Sequence, residues 1–471
     1  MNNLSKLALL VGLLAAGGCQ LDRLTDPNNP SFEAATNNPS KAQLDQVAAG
    51  AFASMRTDVD GIVWYYQITG VIGREIYIMS SSDSRYVVPL GVGDFNNNNF
   101  LSTRYFNTYS SSRRTARLLA QGAQSSAFIS EEQRQGYLAL ANTAEAYDML
   151  VLSDLLYQNG LRVDVTDPLK PGKIQPYPVV LAEIKKRLDA GAAALAKAGP
   201  KLPFALPPGY GPGEALLDFT TPAGFLKFNR ALAARLAVRA AVLPGGNYQD
   251  ALTAVNASFA DPAAPLTAGP RFDYGVVSPD VINPLYQVPN SNGGSVIAAN
   301  PSFLRDIRPG DTRVGKVAKR DTISALGQLS ASEPVLYAAN GSPVPVIKNE
   351  ELLLIAAEAQ LRLGNRTAAI AAVSAVARGY GLSYAPPASA TTDDILNEIL
   401  YQRRYSLYYE GQRWIDLRRL GKLNQLNAPG TNLPEKLTDG TQTTIVQQLP
   451  TPYSEIAWDQ ANPLYDCIAF R

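Results

Sequence analysis

Four alanine-dense stretches with helical spacing constrain this chain more than any other feature. They are "YLALANTAEAYDMLVLSDLLY" (Tyr137 to Tyr157), "PVVLAEIKKRLDAGAAALAKA" (Pro178 to Ala198), "PAGFLKFNRALAARLAVRAAVL" (Pro222 to Leu243) and "EELLLIAAEAQLRLGN" (Glu350 to Asn365). Apolar residues recur at three and four positions in each, the period of an amphipathic helix. Pro178 suits a first turn, where its missing N–H costs nothing. Alanine is the best helix former. Its small side chain also lets two helix axes approach closely, which favours stacked antiparallel pairs.

Two of these stretches continue into a turn and a further helix. "LRLGNRTAAIAAV" places a helix end at Gly364, a short turn and a second helix. "AVLPGGNYQDALTAV" (Ala241 to Val255) does the same. Both are similar to tetratricopeptide hairpins, though no strict repeat period is visible. Helical periodicity begins near Ala42. Gly61 to Tyr109, Pro200 to Pro222 and Asp261 to Lys348 read as long irregular segments, which in a compact protein carry function or are disordered. "PVPVIKN" offers short strand material, and no long alternating run occurs. The expectation is a mainly α protein of tetratricopeptide-like hairpins with long irregular loops. Its single helical body would span 42–471, with an N-terminal part (42–260), a loop-rich part (261–348) and a C-terminal part (349–471).

The chain has no histidine. That removes Ser-His-Asp and Cys-His catalysis and every histidine-ligated zinc or haem site. Only two cysteines are present, Cys19 and Cys467, so cysteine-ligated clusters go too. Catalysis by a pair of carboxylates remains open. The 42 basic and 41 acidic residues balance. With no cationic excess to neutralise phosphates, nucleic acid is not an expected partner.

Cys19 follows "LALLVGLLAAGG", an uncharged run preceded by Lys6. The run is shorter than the roughly 20 residues a spanning helix needs and fits the apolar region of a secretory signal. "LLAAGGCQLD" resembles a bacterial lipobox, with Ala16 where leucine is usual. That resemblance implies a signal peptide over 1–18, cleavage before Cys19 and acylation of Cys19. The alternative is an ordinary secretory signal with an incidental cysteine. Several acyl chains anchor a protein stably where one does so only marginally. The polar segment from Gln20 to Lys41 then reads as a tether (19–41) between membrane and body.

"DDILNEILYQRRYSLYYEGQRWIDLRRLGK" (Asp393 to Lys422) reads as one helix. Leu396, Leu400, Leu407, Trp414 and Leu417 fall on one stripe, and Arg403 and Glu410 fall on the same stripe. Glu358 lies on the apolar face of "LLLIAAEA". Buried charges must be paired, so Glu358, Arg403, Glu410, Arg413 and Asp416 are expected to form a structural charge network. Gly411, in mid-helix by this reading, would serve close approach of a neighbour. Glu358 and Glu410 as a glycosidase acid and nucleophile is the competing reading. Flanking Arg403, Arg404 and Arg413 argue against it, because cations depress a carboxyl that would need to be raised.

"ELLLIAAEAQLRLGN", "ILYQRRYSLYYEGQRWIDLRRLG" and "LPTPYSEIAWDQANP", in this order, resemble the C-terminal half of the SusD/RagB family. Matching positions are Glu358, Arg403, Arg404, Glu410, Gly411, Arg413, Trp414, Asp416, Leu417, Arg419, Pro452, Glu455, Asn462 and Pro463, with Asp311 and Arg313 of "RPGDTR" as a weaker signal. The chain departs from the family at Gln402, where an acid is usual, at Ser374, where asparagine is common, and near Arg104, where an aromatic is expected. The resemblance implies a SusD-like fold and a non-catalytic nutrient-binding lipoprotein without a cofactor. It would sit on the outward face of the cell outer membrane and deliver an oligosaccharide or peptide to a SusC-like TonB-dependent transporter. The alternatives are a carboxylate-based glycan hydrolase and a helical-repeat envelope scaffold.

Sugars stack their apolar faces on aromatic rings while amides and hydroxyls fix their orientation. Candidate ligand residues are Trp64, Tyr65 and Tyr66 in "IVWYYQITG", and Tyr77, Asp83, Arg85 and Tyr86 in "REIYIMSSSDSRYVV". Asn97 in "GDFNNNNF", Tyr274 and Tyr286 complete the set, with Phe272 beside them. The alternative for each ring is a place in the core.

Overall fold

A computed structural model describes residues 35–56, 63–80, 95–167, 170–277, 280–325, 327–427, 435–437 and 440–461. The expectations for Cys19, Asp83, Arg85, Tyr86, Asn462, Pro463 and Cys467 lie outside them.

The described helices are α1 (Lys41–Met55), α2 (Trp64–Ile72), α3 (Phe100–Ser125), α4 (Glu131–Leu156), α5 (Tyr177–Leu195), α6 (Pro212–Ala215), α7 (Pro222–Ala240) and α8 (Tyr248–Asn256), followed by α9 (Ser302–Asp306), α10 (Asn349–Arg362), α11 (Arg366–Gly379), α12 (Thr392–Ser406), α13 (Arg413–Arg419) and α14 (Tyr453–Ala461). Capping chemistry sets several starts. Ser40, Ser130 and Thr391 each form a reciprocal capping box with the side chain three residues on, satisfying two otherwise orphaned donors. Proline opens α5 and α7 within their first two positions, and the Thr221 side chain caps α7.

Packing runs in chain order. α3 lies on α1 and α4, α4 on α5, α5 on α7, α7 on α8, α8 on α10, and α10 on α11 and α12. The short connections α3–α4, α7–α8 and α10–α11 make antiparallel hairpins. Alanines keep the axes close: Ala139, Ala231, Ala234, Ala251, Ala357, Ala359 and Ala369 are all fully buried. The mainly α, tetratricopeptide-like expectation holds. It was wrong about Gly61 to Tyr109, which contains α2, the first strand and the start of α3.

Among the described residues, four two-stranded antiparallel sheets decorate this array: β1 (Ile76–Ser80) with β5 (Ser295–Ala299), β2 (Leu161–Arg162) with β3 (Ile174–Gln175), β4 (Arg271–Phe272) with β8 (Val344–Pro345), and β6 (Val317–Ala325) with β7 (Gln328–Pro334). The β6–β7 hairpin is the largest departure from the expected loop over Asp261 to Lys348. Its outer face is exposed and polar, so its sequence lacks the apolar alternation that marks a half-buried strand. Tyr77, Met79, Val296 and Ala298, with Ile323 and Ala325, form a small second core beneath it.

The segment read as one helix from Asp393 to Lys422 is two. Tyr409 (φ 59°) and Gly411 (φ 76°) turn the chain between α12 and α13. Only glycine enters that conformation without steric cost. A Cβ on Gly411 would lie 2.7 Å from the Tyr65 ring. The close approach expected of Gly411 is present, but at a corner between helices.

Candidate functional site

The expected charge network divides into three parts. In the first, Arg403 Nε donates to Asp416 Oδ2 (2.6 Å), Arg419 donates to Asp416 Oδ1 (2.9 Å), and both Nη atoms of Arg419 donate to Glu358 (2.5 and 2.6 Å). The pairs join α10, α12 and α13. In the second, Lys348 Nζ donates to Glu410 (2.6 Å) and pairs with Glu350 (2.6 Å), which also accepts from Tyr380 Oη (2.7 Å). Glu410 therefore answers a lysine 62 positions earlier, not the neighbouring arginines. Burial raises the Glu410 carboxyl above its usual range, with Lys348 opposing; the depression expected from flanking arginines does not prevail. In the third, Arg413 sits apart with Arg404 and Glu75 as charged neighbours, its guanidinium lowered by burial first. The "RPGDTR" loop is pinned as well: Arg313 donates to Asp311 (2.9 and 2.8 Å) and to Ser406 Oγ (2.9 Å) at the end of α12.

Five of the aromatic ligand candidates are core. Trp64, Tyr65, Tyr66, Tyr77 and Tyr274 are between 3% and 7% exposed, which leaves no ring face free for a sugar. Trp64 meets the Phe100 edge at 5.8 Å, Tyr65 packs on Tyr66, Tyr77 Oη donates to Glu435 (2.8 Å), and Tyr274 lies under Arg56. Phe272 is core too, packed edge-on against Tyr147. Burial wins because Trp64, Tyr65 and Tyr66 sit on α2, Tyr77 on β1 and Tyr274 just after β4, where the packed neighbours leave each ring under 8% exposed. Tyr286 is half-buried in the loop before β5.

Asn97 is placed in a groove of about 770 Å³ whose other residues the sequence did not single out. Three distant pieces of chain form it. Residues 95–97 lead into α3, 157–159 follow α4, and 446–451 precede α14. Backbone bonds join the three: Leu449 N–H to Leu155 O (2.9 Å) and Tyr453 N–H to Asn97 O (3.0 Å). Trp414 Nε1 donates to Val446 O (2.7 Å), tying the groove to the α12–α13 corner.

The lining suits a sugar. Phe95 and Tyr157 supply rings, and Asn97, Gln158, Asn159, Gln447 and Gln448 supply amides. Gln448 Nε2 donates to Asn159 Oδ1 (2.9 Å), and Asn159 Nδ2 donates to Leu449 O (2.8 Å), so these two are held in place. Gln158 and Gln447 are exposed at the rim. Thr451 Oγ1 is buried without a hydrogen-bond partner among the described residues. Tyr157 adopts φ 47°, ψ −118°, a glycine-like conformation costing on the order of 1–3 kcal/mol, and such strain gathers at binding sites. Its ring is clamped between Arg418 (4.1 Å) and Tyr177 (4.7 Å). The available signals were the amide-rich "YQNG" after a strong helix and "QQLPTP" before the closing motif.

A second groove of about 540 Å³ lies between α5, α7 and α8, floored by Leu181, Ala233, Leu236, Ala237 and Ala254. Among the described residues there is no group of three or more His, Cys, Asp or Glu able to hold a metal ion, and no helix is long and apolar enough to cross a membrane.

Residues 337–461 match the SusD family model. No curated protein matches the sequence. The fold is similar to that of a SusD superfamily protein from Bacteroides thetaiotaomicron (TM-score 0.67, 15% identity, 91% of this chain and 99% of that one covered). It is also similar to surface glycan-binding protein A from Bacteroides uniformis (0.68, 16%, 90% and 98%) and to surface glycan-binding protein A from Bacteroides thetaiotaomicron in complex with laminarihexaose (0.67, 12%, 89% and 98%). The C-terminal segment 337–461 thus matches the SusD family, and the fold of the whole is similar to that of SusD superfamily proteins.

Proposed function

We propose that this protein is a non-catalytic surface lipoprotein that binds an oligosaccharide in the Asn97–Tyr157–Gln448 groove and delivers it to a SusC-like TonB-dependent transporter. The groove carries the reading: rings, positioned amides and a strained tyrosine converge where three chain segments meet. Two proteins of the same fold are surface glycan-binding proteins, one of them holding laminarihexaose. Acylation of Cys19 would hold the body on the outer membrane, through a tether shorter than the expected 19–41 because Ala35 is buried in the core and Ser40 caps α1, with the rest as one body.

Hydrolysis by Glu358 and Glu410 is disfavoured by the geometry. Glu358 is fully buried with both oxygens on Arg419, and Glu410 is bonded to Lys348. Glu358 has no access to the water a glycosidase pair needs, and Glu410 is committed to Lys348. The alanine-floored groove between α5, α7 and α8 favours one further reading, an envelope scaffold that docks a polypeptide there.

The deciding experiment is a pull-down of membrane-extracted protein, with mass spectrometry of its partners and of its N-terminal peptide. A barrel transporter and an acylated Cys19 support the proposal. An unmodified chain that captures no transporter overturns delivery and anchoring together.

A further inference from the structure

The groove contains one charge that no carboxylate among the described residues pairs with. Among the described residues lining it, Arg418 alone is charged. Its guanidinium is 6% exposed and donates to two backbone carbonyls, Gln447 O (3.0 Å) and Asp154 O (2.7 Å). Its Nε has no hydrogen-bond partner among the described residues, and no carboxylate there pairs with it. The carboxylates close by in the chain are already committed. Asp154 accepts both arms of Arg239 (2.6 and 2.7 Å), and Glu455 and Asp459 bind Arg162 (2.6 and 2.5 Å).

Arg113 also donates only to backbone carbonyls, those of Arg162 and Val163, but it does not line this groove, and five other buried arginines each meet a carboxylate. Arg235 meets Glu351, Arg239 meets Asp154, Arg313 meets Asp311, Arg320 meets Glu333 and Arg419 meets Glu358. Arg418 instead lies between the rings of Tyr157 (4.1 Å) and Trp414 (4.4 Å). Those contacts orient a cation and stabilise it modestly without cancelling its charge. Beside it, Thr451 Oγ1 is a second buried polar atom with no partner among the described residues. A groove with walls of neutral amides and one cation focuses a positive potential on its contents.

We infer that the groove takes a carboxylated oligosaccharide, its carboxylate held by the Arg418 charge with the Thr451 hydroxyl as neighbouring donor. This rests on the glycan-binding reading above and narrows its ligand class. A charge-assisted contact is roughly twice as strong as a neutral one, so the acid group would decide which sugar is kept.

The test is calorimetric titration of the full detergent-solubilised chain with hexuronate tetrasaccharides, each beside the same tetrasaccharide with its carboxylates reduced to alcohols. At least one acidic member should bind about tenfold or more tightly than its reduced partner, and its affinity should fall as salt rises. Arg418→Gln should abolish the preference. Because Arg418 also ties chain segments together, Thr451→Val serves as a second variant, weakening the acidic sugar more than the reduced one at unchanged Tm. Equal binding of acidic and reduced sugars overturns the inference and leaves glycan binding standing. Binding of neither overturns both. Full preference retained in a folded Arg418→Gln protein overturns the role of Arg418.

Discussion

Arg419 grips Glu358 with both Nη atoms, at 2.5 and 2.6 Å, across 61 positions of sequence. The same guanidinium reaches Asp416, which also accepts from Arg403. A single carboxylate–guanidinium chain thereby locks α10 to both helices of the C-terminal signature. Taking such charges out of water is expensive, and only complete pairing makes it tolerable.

Glu358→Gln should therefore lower stability by about 3–5 kcal/mol, the cost of leaving a buried charge with one partner missing. Glu358→Leu combined with Arg419→Met should lose less than either single change, because no unpaired charge is left behind. Urea unfolding of Glu358→Gln, of the double variant and of its two single changes reads this directly. A loss under about 1 kcal/mol in Glu358→Gln would mean the pair is not the brace described here.

Gly411 and Gly421 share a left-handed backbone, φ 76° and 67°, but differ in surroundings. Nothing lies within 4 Å of a Cβ on Gly421, whereas the Tyr65 ring would be 2.7 Å from one on Gly411. Gly421→Ala should cost about 1–2 kcal/mol, the backbone term alone. Gly411→Ala should cost clearly more, since overpacking adds about 1–3 kcal/mol. Equal midpoints in thermal unfolding would show that the corner yields to Tyr65 freely.

Glu75, buried between α2 and β1, is pushed up to about 8 from an ordinary value of 4.5, by burial first, with Arg413 opposing. The folded carboxyl thus keeps a proton that the unfolded chain releases above about 4.5. The native state binds more protons in this window, so stability is greatest below it and falls as pH rises to about 8. Glu75→Gln cannot titrate. Measured by chemical unfolding at pH 5 and pH 8, wild type should lose stability relative to Glu75→Gln as pH rises. A constant difference between the two proteins would show that Glu75 does not hold its proton.

Sequence spacing sufficed where the physics was local. Alanine-rich periodicity, Pro178 and Pro222 placed α5 and α7, and Arg403 and Glu358, charges on apolar faces, are both buried in ion pairs, though Glu358 pairs with Arg419, which the expected network omitted. It failed where a partner came from afar. Lys348 meets Glu410 only because the chain turns at Tyr409 and Gly411, which a continuous-helix reading removes. The rings of Trp64, Tyr65 and Tyr66 had the right chemistry for a sugar, yet α2 is covered on all sides. The groove gathers residues 95–97, 157–159 and 446–451, and no single window of sequence shows all three.

The rim amides give the cleanest test of the groove itself. Gln158 and Gln447 are exposed, and their side chains make no hydrogen bond within the described residues. The charge network and the core do not depend on them. Gln158→Ala with Gln447→Ala should leave Tm within about 2 °C of wild type, as surface changes usually do. Affinity for a bound oligosaccharide should fall about tenfold, since each amide supplies hydrogen bonds worth on the order of 1 kcal/mol. Asn159→Ala should weaken binding and stability together, because Asn159 also holds Gln448 and the Leu449 carbonyl. Unchanged affinity in the double variant would place the sugar elsewhere, and Tyr286, half-buried before β5, would then be the position to vary next.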